Sequence, residues 1–242
     1  MSAAGRRSDR PRVDPGDLDP MNRFSEKTYW IIGGGTFGLR AAETLRRSEG
    51  SAHITMVERR PERCRRLERK GFSVACEDGA AFLAQHLNGP ARNVWIVAAA
   101  PVHVAFQWMQ ARLSPMVRVQ AAAVPEAIAR LLPNAMRGRQ GELYASNADF
   151  ICPPDCREAG RLCTATGRAR PRSMHALIQG LPVANVKILV IRSFQLAAGV
   201  GGLRPRDLLS ALDQARTSKT PILLATACRC HAVINTFSIS AG

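Results

Sequence analysis

The feature that most constrains the fold of this chain is a glycine loop between an apolar run and a helical pattern. The loop Gly33-Gly34-Gly35-Thr36-Phe37-Gly38 follows the run Tyr29–Ile32, which predicts a buried strand. From Thr36 to Arg47 apolar residues recur at helical spacing among good helix formers. A Gly-x-Gly-x-x-Gly loop between a strand and a helix is typical of a dinucleotide site in an α/β sheet.

Each residue of the loop has a separate role in this interpretation. Gly33 lets the chain turn out of the strand, Gly35 lets a pyrophosphate approach the backbone, and Gly38 lets the helix pack on the sheet. Thr36 and Phe37 begin the helix, whose free N–H groups and partial positive charge favour phosphates. We therefore predict that these five residues bind the cofactor. The alternative is a glycine-rich turn that binds nothing.

Glu58 bears on the choice of cofactor. It lies twenty residues after Gly38, at the end of a strand predicted over His53–Val57. A carboxylate there accepts hydrogen bonds from the adenosine ribose hydroxyls and repels a 2′-phosphate, which favours NAD(H) over NADP(H). Arg59 and Arg60 weaken this preference, because either guanidinium could meet a 2′-phosphate. Arg59 is included among the predicted cofactor-binding residues.

Strands and helices alternate through the first half of the chain. Further helices are predicted from Pro61 to Lys70, from Asp78 to about Leu87 and from Pro101 to about Leu113, and further strands over Phe72–Cys76, Asn93–Ala99 and Val117–Ala122. The apolar run from residue 93 to 99 is typical of a central parallel strand covered on both faces. We expect an α/β fold with a doubly wound, Rossmann-like parallel sheet over residues 28–124.

The second half, residues 125–242, is predicted to be a cysteine-rich α/β region. A helix and then an irregular, proline-rich insert are expected from residue 125 to residue 171. A small C-terminal α/β extension follows, with a strand over Val186–Arg192, a helix over Pro205–Arg216 and a last strand over Ile222–Ala225. The loop at residues 197–202 is either an anion cradle or a simple turn. Residues from Asn235 onward receive no assignment.

The N-terminal residues 1–27 are predicted to be a disordered tail, because they are polar and rich in Pro, Asp and Arg. Met21 precedes the folded region directly and is a candidate for the true first residue. No apolar run reaches the roughly 20 residues of a membrane helix, and the N-terminus has no apolar signal-peptide core. We expect a cytoplasmic protein with no membrane insertion.

The formal net charge of +15 lies in the chain after the first twenty residues, in which four Arg balance four Asp. Basic residues concentrate at residues 59–70 and 157–172. Such a surface attracts anions, including nucleotides and acidic proteins, or is simply a solvated face. Nucleic acid is unlikely as a partner, because aromatic residues make up only 5% of the chain and stacking platforms need them. The expected partners are a dinucleotide and an acidic protein or redox partner, and the chain could form a homo-oligomer.

Five of the seven cysteines lie in two short stretches with a histidine. We predict metal ligation by Cys152, Cys156, Cys163, Cys228, Cys230 and His231. Thiolates and imidazole suit zinc or an Fe–S cluster. A redox disulfide system without metal and unrelated buried thiols remain as alternatives. One shared site would require the two stretches, about seventy residues apart, to meet in space. In a cytosolic chain such clusters indicate metal or redox chemistry rather than structural disulfides.

Three segments of the first half resemble the NAD-binding domain of TrkA-type regulators of potassium conductance, the RCK family. They are Ile31 to Gly38, Val57 to Arg63 and Gly71 to Gly79. The resemblance implies nucleotide binding, with ligand-dependent conformational change as the use that the family makes of it. It ends near Ala100, and the remainder resembles cysteine-rich bacterial proteins of uncharacterised activity that share the cysteine pattern.

Two hypotheses of function follow. The first is an NAD(H)-dependent redox protein, an oxidoreductase in which the cysteine site is an electron relay or a structural metal site. The second is a nucleotide-sensing regulatory module of the RCK type with a structural zinc. Catalytic residues are unknown: His103 is either a general acid or base or a satisfied surface or capping residue, and His175 has no better claim.

Overall fold

The computed structural model describes residues 27–88, 93–158, 160–170 and 172–241. The predicted tail therefore lies outside the described residues, apart from Lys27. Within these ranges no helix is both long enough and apolar enough to cross a membrane.

The first half forms a four-stranded parallel sheet with the order β3-β2-β1-β4. Its strands are β1 (Thr28–Ile32), β2 (His53–Val57), β3 (Ser73–Ala75) and β4 (Val94–Ala98). The chain moves from β1 outward to β2 and β3 and then returns to the other side of β1. This reversal creates a switch point between β1 and β4, where open α/β sheets bind ligands outside the carboxyl ends of the strands.

Helices cover both faces of this sheet, so the predicted doubly wound, Rossmann-like fold is confirmed. They are α1 (Thr36–Ser48), α2 (Pro61–Arg69), α3 (Gly79–His86) and α4 (Val104–Leu113). Apolar residues of α1 and α2, including Leu45 and Leu67, pack with Ile31 on one face. Residues of α3 and α4, including Leu83 and Trp108, belong to a separate cluster on the other face.

The second half contains a larger sheet than the sequence indicates. Its elements are β5 (Val117–Ala122), α5 (Glu126–Ala129), β6 (Met136–Arg137), β7 (Leu143–Ser146), α6 (Met174–Gln179), β8 (Lys187–Arg192), β9 (Phe194–Ala197), β10 (Val200–Gly202), α7 (Pro205–Arg216), β11 (Ile222–Ala227) and β12 (His231–Ala241). The order in this sheet is β6-β7-β12-β11-β8, and β5 also pairs with β12. The expected small C-terminal extension is therefore a six-stranded mixed sheet.

Strand β12 accounts for one segment that had no assignment and for two predictions that are wrong. The residues after Asn235, left without assignment, form the second half of this eleven-residue strand. Its first four residues pair with β7, and its last six pair antiparallel with β5. Strand β5 therefore joins the second sheet rather than the parallel sheet, because β12 offers it an unpaired edge. The strand over residues 222–227 is also not the last one.

Strands β9 and β10 form a hairpin that adjoins the first sheet. Leu203, just after β10, exchanges two backbone hydrogen bonds with Ile96 of β4, at 2.8 and 3.0 Å. Val200 is buried in the same apolar cluster as helix α1. The predicted loop at residues 197–202 is thus mostly hairpin, with Gly199 at φ +71° in its turn. No anion cradle is needed to explain its glycines.

Candidate functional site

At two positions of the Gly33–Gly38 loop, packing within the protein requires a glycine. Gly33 has a φ of +108°, and a Cβ there would lie 2.8 Å from the backbone N of Ala100. A Cβ on Gly38 would collide with the carbonyl oxygen of Gly33. These two positions therefore fix the turn and the close contact between helix and loop, as the sequence indicates.

Gly35 differs, because packing of the protein does not require it. The nearest atom to a Cβ at Gly35 would be Nη1 of Arg63, at the ordinary contact distance of 3.7 Å. Its φ of −75° is open to any residue. A glycine with free space on its open side leaves room for another molecule to approach the backbone, which is the role predicted for it.

The N-terminus of α1 adjoins this space. Its N-cap, Gly35, has no side chain to accept a hydrogen bond, and the first turn contains no acidic residue. Thr36 and Phe37 are both exposed, Phe37 by 72% of its surface. The first N–H groups of the helix thus have no side-chain cap from the N-cap residue, an arrangement that favours an anion.

Glu58 lies at the end of β2 beside the loop. Only 7% of its surface is exposed. One carboxylate oxygen accepts a hydrogen bond from the backbone N–H of Gly34 at 2.9 Å, and the other accepts one from that of Arg60 at 3.0 Å. The carboxylate therefore orders the loop. Arg59, also predicted to bind the cofactor, is exposed.

Arg63 is a member of this site that the sequence analysis missed. Its Nη1 atom lies 3.7 Å from a carboxylate oxygen of Glu58 and beside the open face of Gly35. Pro61 begins α2, so Arg63 lies in the first turn, close to the end of β2. That spacing was the available signal, but it was hidden among seven basic residues between positions 59 and 70.

The other two cysteines form a disulfide, Cys64–Cys76. The bond joins α2 to the residue after β3, on the Glu58 side of the sheet. The expectation of metal or redox chemistry concerns the five late cysteines and does not extend to this pair. The two positions are twelve residues apart, but the first turn of α2 and the end of β3 bring their Cα atoms within 5.8 Å.

The two late cysteine stretches meet in space, as predicted. The Sγ atom of Cys152 lies 3.6 Å from Nε2 of His231, and that of Cys228 lies 3.9 Å from Nδ1 of the same ring. The stretch at residues 228–231 is the turn between β11 and β12. We call the five free cysteines and His231, gathered at this turn, the cysteine centre.

Arg170 is a further member of this region that the sequence analysis missed. Its guanidinium donates to the thiol of Cys230 and also hydrogen-bonds Cys163. Arg170 therefore links the irregular segment to the turn between β11 and β12.

Two thiols of the cysteine centre accept hydrogen bonds from donors of the protein. Cys228 accepts hydrogen bonds from the backbone N–H groups of Cys230 and His231, both at 3.3 Å. The Thr166 hydroxyl, helped by backbone N–H groups, lowers the pKa of Cys163 to about 7 despite burial. Such donors stabilise a thiolate, the form that acts as a nucleophile or a metal ligand. At Cys228, however, burial outweighs these donors and raises the pKa of the thiol.

Other thiols of the centre are held protonated. Burial raises the pKa of Cys230 to about 12, against the opposing effect of Arg170. Burial also raises the pKa of Cys152. In the described ranges, no group of three or more His, Cys, Asp or Glu side chains is arranged to hold a metal ion. The soft sulfur and imidazole donors fit zinc or Fe–S chemistry by type, and ligation by the six residues stays a prediction.

Polar residues outside the cysteines fix the irregular segment. The Glu158 carboxylate accepts a hydrogen bond from the backbone N–H of Arg229. Gln195 of β9 accepts one from the Glu158 N–H at 2.7 Å and donates one to the Cys156 carbonyl at 2.8 Å. The segment is thus tied both to the β11–β12 turn and to the hairpin. Isolated Glu and Gln residues carry no signal in sequence, so these were missed.

His103 belongs neither to the glycine loop nor to the cysteine centre. It is the N-cap of α4, and its ring nitrogens bond Asn235 Oδ1 at 2.8 Å and Thr226 Oγ1 at 2.9 Å. Burial lowers its pKa to about 4, so the ring is neutral at physiological pH. Both nitrogens are engaged by the protein and the side chain makes no cap hydrogen bond, which fits a satisfied buried residue rather than a general acid or base.

Comparisons with known proteins agree with this architecture. The family model described as TrkA-N domain matches residues 29–131, and that domain is a nucleotide-binding domain of the Rossmann type. The model AF_1314_C, described as "Uncharacterized protein, C-terminal domain", matches residues 105–240, more than half of the chain. The first match agrees with the resemblance found in the sequence.

A protein of Archaeoglobus fulgidus described as "Uncharacterized protein" is 30% identical over 215 residues, which cover 84% of this chain and 96% of that protein. No solved structure matches the chain. The similarity extends over nearly the whole length of the relative, so both proteins join the two halves in one chain. The chain belongs to the AF_1314_C family, and a TrkA-N domain forms its N-terminal half.

Proposed function

We propose that the N-terminal domain binds NAD(H). The observation that carries this proposal is the open face of Gly35, which lies between the uncapped N-terminus of α1 and the Arg63 guanidinium. A pyrophosphate there would receive helix N–H groups on one side and a cation on the other. The carboxylate of Glu58, at the end of β2, would accept hydrogen bonds from the adenosine ribose.

A pair of glycine variants tests the proposal. In Gly35→Asp a carboxylate fills the open space and repels phosphate, so calorimetric binding of NADH should be lost while circular dichroism stays unchanged. Gly50→Asp is the matched control, because a Cβ there meets nothing within 4 Å and the residue lies at the far end of α1. Equal NADH affinity in the two variants would show that the glycine loop does not bind NADH.

We further propose that the protein is a redox protein whose cysteine centre binds zinc or an Fe–S cluster. The support is the contact of Cys152 and Cys228 with His231, the Arg170 link between Cys163 and Cys230, and the donors that lower the pKa of Cys163. Cys152, Cys156, Cys163, Cys228, Cys230 and His231 would supply the ligands. A metal there would tie the irregular segment to the sheet, so its binding energy would add to folding.

Metal analysis with an ultraviolet–visible spectrum of anaerobically purified protein tests the cysteine centre. Iron with charge-transfer absorption would support electron transfer, and zinc alone would support a structural site. A Cys228→Ser, Cys163→Ser double variant should lose the metal, whereas Cys64→Ser, outside the centre, should keep it. Protein without stoichiometric metal would leave a dithiol centre and overturn the metal proposal.

The match to the TrkA-N domain favours a second candidate, a nucleotide-sensing regulatory module with a structural zinc. In that role NAD(H) is an effector and is released unchanged. Incubation with NADH and a one-electron acceptor, such as ferricyanide, separates the candidates. Protein-dependent oxidation of NADH would support the redox protein, and binding without turnover would support the sensor.

A further inference from the structure

The cysteine centre and the glycine loop are connected by one element, the hairpin β9–β10. On one side the hairpin packs on the first sheet, with Val200 in the apolar cluster of α1 and β4. On the other side, its turn reaches the irregular segment: the backbone N–H of Gly199 donates to the Cys156 carbonyl at 2.9 Å. A Cβ on Gly199 would collide with the carbonyl oxygen of Pro154. The turn and the segment at residues 152–156 are therefore in tight contact.

The register of the hairpin places this contact at a particular edge. Leu203 pairs antiparallel with Ile96, so residues before Leu203 lie beside residues after Ile96. From this register, extended by four residues along each strand, we infer that Gly199 lies near Ala100, just past the carboxyl end of β4. The backbone of Ala100 also borders Gly33. The hairpin turn thus lies at the edge of the sheet that carries the glycine loop.

A dinucleotide at this edge has a defined direction. Glu58 takes the adenosine ribose at β2, and the pyrophosphate crosses the loop after β1. The second nucleotide must then lie beyond the switch point, over the end of β4. The next element on that side is the hairpin turn, and the cysteine segment lies against it.

We propose that the segment Cys152–Cys156 forms the wall of the dinucleotide site on its second-nucleotide side, so that the nicotinamide half faces the cysteine centre. This inference rests on the proposed binding of NAD(H). The NAD(H) bound by the first half of the chain would then lie against the thiols of Cys152 and Cys156 in the second half. The hairpin turn holds the segment at that position through Gly199 and Gln195.

Protection of thiols from alkylation tests the arrangement. Cys152, Cys156 and Cys228 are each partly exposed and free. Mass spectrometry would follow the alkylation rate of each by iodoacetamide with NADH, with AMP and without ligand, after calorimetry has shown that both ligands bind. NADH should slow the alkylation of Cys152 and Cys156 several-fold, whereas AMP, which lacks the nicotinamide half, should slow neither.

A backbone variant gives a second readout that is independent of thiol reactivity. Gly199→Ala forces a Cβ against Pro154 and should displace the cysteine segment. We expect it to change NADH affinity several-fold and to leave AMP affinity unchanged, while Gly50→Ala changes neither. If NADH binds but protects no thiol, or if Gly199→Ala leaves the NADH affinity unaltered, the segment Cys152–Cys156 does not border the dinucleotide site. Failure of NADH to bind the native chain would instead overturn the proposed function.

Discussion

Glu58 has both carboxylate oxygens occupied by backbone donors and yet retains acceptor capacity. Each oxygen of a carboxylate has two lone pairs, and the structure uses one on each for Gly34 and Arg60. The remaining lone pairs can accept ribose hydroxyls without loss of the bonds that order the loop. A residue can thus hold a site together and also define its ligand.

Arg63 is expected to contribute affinity through charge. Its side chain is 41% exposed and its guanidinium lies 3.7 Å from Glu58, so solvent screens the ion pair and the arginine can turn to a phosphate. Arg63→Gln should weaken NADH about fivefold, in line with roughly 1 kcal/mol for one screened, charge-assisted contact.

Arg65→Gln is the matched control for Arg63. It removes the same charge from an exposed position of the same helix. Fluorescence titration of NADH against both variants measures the difference. Equal affinities would mean that Arg63 affects the site only through the net charge of the surface.

At the scale of elements, the sequence predicted best where local pattern and local structure agree. The helix at residues 205–216 has the expected bounds, and β2 does as well. Proline at a first helical position and continuous apolar runs carry these assignments. The sequence did not predict strand β12, because Asn235 and Thr236 interrupt its apolar pattern. Both residues are buried only through partners distant in sequence. Pairing of this kind is not encoded locally.

The same reasoning separates the parts of the candidate site. The glycine loop is a contiguous motif, so the sequence identified it. The position of the cysteine segment against the hairpin turn depends on the antiparallel bridge between Ile96 and Leu203, more than a hundred residues apart. No periodicity or spacing reports such a contact. The meeting of the two cysteine groups was predicted only because metal chemistry would demand it.

His103 links helix α4 to β11 and β12 and predicts a pH dependence of stability. Its pKa is about 4 in the folded chain, against about 6.5 for an exposed histidine. The unfolded chain therefore binds more protons between these values, and stability should fall as pH decreases from about 6.5 to about 4. The loss attributable to this residue is about 3 kcal/mol at most.

Urea denaturation of the native chain and of His103→Gln between pH 7 and pH 4 measures this effect. Glutamine keeps a hydrogen-bonding group at the position but does not titrate, and carboxylates elsewhere affect both proteins equally. The difference in unfolding free energy between the two proteins should shift in favour of the variant as pH falls. A constant difference across this range would show that His103 titrates normally.

At the scale of the whole molecule, the two sheets share one apolar core. Ile96 of the first sheet, Trp108 of α4 and Phe237 of β12 belong to the same buried cluster, together with residues of α7. The nucleotide-binding half is therefore packed directly on the half that carries the cysteines. A change at either site has a physical route to the other through the hairpin and through this core.

The function proposed for the N-terminal domain is an NAD(H) site formed by the loop after β1 and the acid after β2. Calorimetric titration of the native chain with NADH and with NADPH, at the same ionic strength, tests it most directly. We predict saturable binding of one NADH per chain, with NADPH weaker by at least several-fold, because the 2′-phosphate meets the Glu58 carboxylate and loses hydroxyl hydrogen bonds worth roughly 1.5–3 kcal/mol each. Absence of NADH binding, or tighter binding of NADPH, would contradict the account.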